Sequence, residues 1–68
     1  MIQTNELKAL IVKRGMTQGE VAIKLGMTPK TFYAKMKRGV FGSDEMEGMI
    51  RILNIENPSE IFFNRKVT

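Results

Sequence analysis

The chain has 68 residues, with 11 Lys and Arg against 7 Asp and Glu, a formal charge of +4 and a pI near 9.8. It contains neither cysteine nor histidine, which excludes disulfide staples, thiolate metal sites and the commonest general base. A domain this small buries only about 60% of its unfolded surface, so it must rely on compact helix packing or on oligomerisation.

In chain order, residues 1–5 read as a polar lead-in, with Thr4 or Asn5 expected to cap a first helix over 5–14. Leu7, Leu10 and Ile11 recur at helical spacing and define its inward stripe. Lys13 and Arg14 fall in its last turn, where cations suit the carbonyl end, and Gly15 ends it. Thr17 sits at the cap of a second helix over 18–25, with Val21, Ala22 and Leu25 inward and Met16 stapled to Val21. Gly26 supplies a sharp turn. Thr28 caps a third helix over 29–37, and Pro29 takes its first position, where a missing N–H costs nothing. The inward face of that helix is Phe32 and Met36. Val40 and Phe41 are expected to tuck under the helices from the loop that follows.

Ser43 is expected to cap a fourth helix over 43–53, with Asp44, Glu45 and Glu47 compensating the dipole of its first turn. Met46, Met49, Ile50 and Leu53 give the cleanest apolar periodicity in the chain. Asn57, Pro58 and Glu60 open a short fifth helix over 58–63, anchored by Ile61, Phe62 and Phe63 and followed by a tail over 64–68. One of Phe62 and Phe63 caps the core, and the other is free to meet a second subunit. The pattern predicts one all-α domain of five helices. Cap, apolar face, glycine, cap, proline and apolar face over 17–39 form a helix-turn-helix.

Charge then points to a partner. Lys30, Lys35, Lys37 and Arg38 stand in 28–39 with no acid among them, whereas Asp44, Glu45 and Glu47 stand in 43–50 with no base. Such a division favours a polyanion on one face. No apolar run is long enough to span a membrane, and no signal peptide is apparent, so a cytoplasmic protein is expected. With no His, no Cys and no polar constellation outside the helix caps, an enzyme is not expected.

The run from Met16 to Gly39, then Ser43 to Leu53 and Glu60-Ile61-Phe62-Phe63, resembles the Cro/repressor (XRE-like) helix-turn-helix regulators of bacteriophages and bacteria. It is most similar to small single-domain regulators of Gram-positive prophages. The most specific part lies in 16–28, where Gln18, Ala22, Leu25 and Gly26 match the family pattern. The resemblance implies a lambda-repressor-like DNA-binding fold acting as a homodimer on double-stranded operator DNA, with the third helix in the major groove. Dimer contacts are expected from the fifth helix and the tail, and no cofactor, metal or small-molecule ligand is implied.

Carried over by position, Gln18 braces the recognition helix against the DNA backbone, and Thr28, Pro29, Lys30, Thr31, Tyr33, Ala34 and Lys37 face the groove. Lys30 is the expected reader of a guanine edge, and Ala34 or the Thr31 methyl of a thymine methyl. Thr28, Thr31, Tyr33, Lys35, Lys37 and Arg38 are expected at phosphates. Pro29 and Ala34 replace residues that are more often polar in the family, which shifts specificity toward Lys30, Tyr33 and DNA shape. The spacing from Gly26 to Gly39 is also one residue longer than usual, with Lys35 where an apolar residue is common. The thinness of readers motivates an alternative: a protein-interaction module, an antirepressor or regulatory cofactor that retains the fold.

Overall fold

The computed structural model describes residues 2–62. Phe63 and the tail over 64–68 lie outside the described residues, and with them that part of the expected dimer surface. Among the described residues the fold is all-helical and without strands, in the order α1 (Thr4–Lys13), α2 (Gln18–Lys24), α3 (Pro29–Arg38), α4 (Ser43–Leu53) and α5 (Pro58–Phe62).

Each helix contributes the apolar face that its spacing demands. Leu7 and Ile11 of α1, Val21 and Ala22 of α2, Phe32 and Met36 of α3, Met49 and Leu53 of α4 and Phe62 of α5 meet in one core. Leu10, Leu25, Met46 and Ile50 line its margin and are half-buried. Burying each large apolar side chain stabilises the fold by roughly 1.5–3 kcal/mol before entropy is charged. Gly48 belongs to this packing: a Cβ built there would lie 2.5 Å from Leu25 Cδ2, so the tip of that side chain fills the space beside α4 that a glycine leaves open.

Helices α1 and α2 end alike. Gly15 and Gly26 adopt φ of +74° and +80°, a left-handed conformation that costs a residue with a Cβ about 1–2 kcal/mol. The reversals let Met16 N–H donate to Ile11 O at 3.1 Å and Met27 N–H to Ala22 O at 3.0 Å, the longer of the two bonds of a Schellman motif. Asn54 does the same for α4 with φ of +51°, as asparagine tolerates better than most, and the turn sends Ile55 into the core.

Four local expectations are corrected. Neither Thr4 nor Asn5 caps α1. Thr4 is its first residue, Gln3 precedes it without a side-chain cap bond, and the start is fixed instead by Gln3 N–H donating to Ile61 O at 2.7 Å. The lead-in is not merely polar, because this bond accompanies burial of Ile2 against the core. Ser43 is the first residue of α4 rather than its cap: Gly42 is the cap residue, and its N–H donates to Glu45 Oε1 at 2.7 Å. Finally, Phe41 alone tucks in, its ring 5.4 Å from that of Phe32 at 51°, while Val40 remains 58% exposed.

Arg14 also has a longer reach than a dipole role suggests. Its Nε donates to Leu53 O at 2.8 Å and its Nη2 to Asn54 O at 3.2 Å. It thereby satisfies carbonyls at the end of α4, not of its own helix.

Candidate nucleic-acid interface

Placement of α3 begins at Thr17. Its hydroxyl accepts from Glu20 N–H at 3.1 Å while the Glu20 carboxylate accepts from Thr17 N–H at 2.9 Å, a reciprocal capping box. The Thr-x-x-Glu spacing that signals it stands in the sequence at 17–20. Val21 and Ala22 are fully buried, and the small Ala22 allows a neighbouring helix to approach closely. The most extensive helix packing of α2 is against α3. A Cβ on Gly19 would lie 3.8 Å from Pro29 Cγ, so the first turns of the two helices are neighbours. Gln18, half-buried at the first position of α2, therefore stands beside the start of α3.

Thr28 caps α3, its hydroxyl accepting from Thr31 N–H at 3.2 Å. The two hydroxyls are themselves 2.9 Å apart and hydrogen-bonded. Of that pair, one hydroxyl proton remains to donate outward, so Thr28 and Thr31 together offer one donor to a phosphate rather than two. Pro29 is half-buried against α2, which makes it part of the support and only marginally part of the surface.

Phe32 and Met36 point into the core. At about 100° per residue, Ala34 lies roughly opposite them, at the centre of the outward face. Lys30 and Lys37 flank it on one side, Thr31 and Arg38 on the other, and all five residues are exposed. Tyr33 lies further round and is 51% exposed. The sequence-derived set thus divides into an outward group (Lys30, Thr31, Tyr33, Ala34, Lys37, Arg38) and a supporting group (Gln18, Thr28, Pro29). α3 runs one residue beyond the expected end, to Arg38, and Gly39 closes it with φ of +71°.

Lys35 belongs to neither group. Its Nζ lies 2.5 Å from Glu45 Oε2, the side chains being 33% and 21% exposed. Without DNA its charge is paired within the fold, unlike those of Lys30, Lys37 and Arg38. Glu45 holds Lys35 with one oxygen and the Gly42 N–H with the other, so it does more than compensate a helix dipole. The Lys35 hydrogen bond, opposed by burial and aided by the Gly42 N–H and the Lys35 charge, holds the Glu45 carboxyl below its usual range. A signal for this pair existed only in the facing charges of two separate helices.

The resulting surface has Lys30, Lys37 and Arg38 without an acidic partner among the described residues. Among the same residues no cluster of His, Cys, Asp or Glu has metal-binding form, and no buried side-chain polar atom is left unsatisfied. An open concavity of about 660 Å³ lies elsewhere, walled by α1, the segment after α4 and α5, including Gln3, Leu10, Arg14, Ile55 and Ile61. None of its walls comes from α2 or α3. No helix among the described residues is long and apolar enough to cross a membrane. Compared with known proteins, the chain matches no family, no curated protein and no solved structure.

Proposed function

We propose that this chain is a sequence-specific DNA-binding transcriptional regulator of the lambda-repressor-like, helix-turn-helix kind. In this reading α2 and α3 form the helix-turn-helix, a homodimer binds operator DNA, and α3 enters the major groove. The observation that carries it is the outward face of α3. Three uncompensated cations and a hydroxyl donor surround a small side chain, on a helix held rigidly by Phe32, Met36 and the packed α2. A small centre allows close approach to base edges, and cations at its sides bind phosphates. Lys30 reads a guanine edge, Lys37 and Arg38 hold phosphates, and Ala34 meets a thymine methyl.

A second reading is favoured by one feature of the same face: Ala34 at its centre, with the exposed Tyr33 further round, also suits a protein partner. Gel retardation of random duplexes at low and moderate salt separates the two. A DNA binder gives retarded complexes that weaken steeply with salt, and Lys37→Ala flattens that dependence by about one unit. An interaction module gives no retarded band at either salt.

A further inference from the structure

From the Lys35–Glu45–Gly42 arrangement we infer that Glu45 is a positioning residue that withholds the Lys35 charge from bound DNA and so limits sequence-independent affinity. This rests on the DNA-binding reading of α3. Lys35 is one of four cations on that helix, and at about 100° per residue it lies beside Thr31 on the flank of the outward face. Released, its long stem reaches the side of that face. Held, it does not.

Glu45 is well built for holding it. The carboxylate is anchored at the N-terminus of α4 by the Gly42 N–H at 2.7 Å, which leaves its second oxygen aimed at Lys35 Nζ. Both side chains are mostly covered, so the pair is screened less than an exposed one. Phosphate contacts raise affinity for every sequence alike, whereas base contacts discriminate. Removing one cation from the phosphate-binding set therefore sharpens discrimination by a face that has few hydrogen-bonding readers.

The test is the salt dependence of binding to random duplex, measured for the wild type, Glu45→Gln, Lys35→Gln and their double variant, with Lys37→Gln as reference. Glutamine at 45 keeps an acceptor for the Gly42 N–H and loses the anion. Each phosphate contact contributes about 0.9 to the slope of log affinity against log salt. Glu45→Gln is expected to steepen the slope by about that amount, a ratio of affinities between 50 and 200 mM salt raised about 3.5-fold. Lys35→Gln leaves the slope unchanged, Lys37→Gln flattens it, and the double variant returns to the wild-type slope.

A Lys35→Gln slope as flat as that of Lys37→Gln overturns the inference, since Lys35 then already touches DNA. So does an unchanged slope in a Glu45→Gln protein with a normal folded spectrum. If Glu45→Gln does not fold, the Lys35→Gln and Lys37→Gln comparison decides alone. A wild type that binds no duplex removes the DNA-binding reading and the inference together, an outcome distinct from the other two.

Discussion

Replacing Arg14 with methionine tests whether a residue at the end of one helix stabilises the end of another. Methionine retains most of the apolar stem and removes the guanidinium. Two bonds are lost, one of 2.8 Å to Leu53 O in a partly buried setting and one of 3.2 Å to Asn54 O in an exposed one. A bond from a charged donor is worth about 1.5–3 kcal/mol when sheltered, and a neutral or wet one about 0.5–1.5. Arg14 is exposed overall, so both bonds are taken near the low end of the wet range, which gives a sum of about 1–1.5 kcal/mol. That exceeds the roughly 0.5 kcal/mol of an ordinary surface substitution and corresponds to a fall in Tm of about 4–12 °C in a domain this small.

The assay is urea unfolding followed by helical circular dichroism, with slopes compared so that a midpoint shift reports stability alone. Arg14→Lys preserves a cation near the α4 carbonyls but not the forked donor, and is expected to recover about half of the loss. An Arg14→Met midpoint within about 0.3 kcal/mol of the wild type refutes the interhelical cap. Arg14 would then serve only its own helix, as its position in the sequence first suggests.

Other outcomes follow from the same packing. Gly48→Ala favours a helix by about 0.5–1 kcal/mol, while the 2.5 Å approach is to the far end of the half-buried Leu25 side chain, which must rotate aside, so the two effects largely offset. Thermal melting should place the variant within about 1 kcal/mol of the wild type, and a loss of about 3 kcal/mol or more would show that Leu25 cannot yield. Thr17→Ala removes the hydroxyl half of the α2 capping box and should cost about 1 kcal/mol in the same assay. The Glu45 carboxyl has a folded-state pKa below its ordinary 4.5. Its contribution to stability is thus complete above about that pH and is lost as pH falls through the lower folded value. Stability measured from pH 6 to pH 3 should decline less in Glu45→Gln than in the wild type, and parallel declines sink the assignment.

Local chemistry was legible in the sequence where it is written within one turn. Thr17 and Thr28 cap their helices, Pro29 opens α3, and Phe32 and Met36 face inward because each signal sits within four residues of its effect. The contacts that lock helices to one another carry no such signal. Glu45 and Lys35 are ten residues apart and Arg14 and Leu53 thirty-nine, and each has a satisfactory local explanation as a dipole-compensating charge. Ile2 was lost in a polar lead-in because its burial depends on Gln3 meeting Ile61 at the other end of the chain. On α3 the sequence indicated which side chains carry charge. The fold adds which of those charges already has a partner, and only Lys35 does among the described residues.

Repeated selection of bound duplexes from a random pool bears most directly on the proposal that α3 reads DNA. The wild type should enrich a sequence with two symmetric half-sites about one helical turn apart, and Lys30→Ala should relax the choice at one position in each half. A pool that stays random through the same rounds, or an enriched sequence indifferent to Lys30, contradicts the reading of Pro29–Arg38 as a recognition helix.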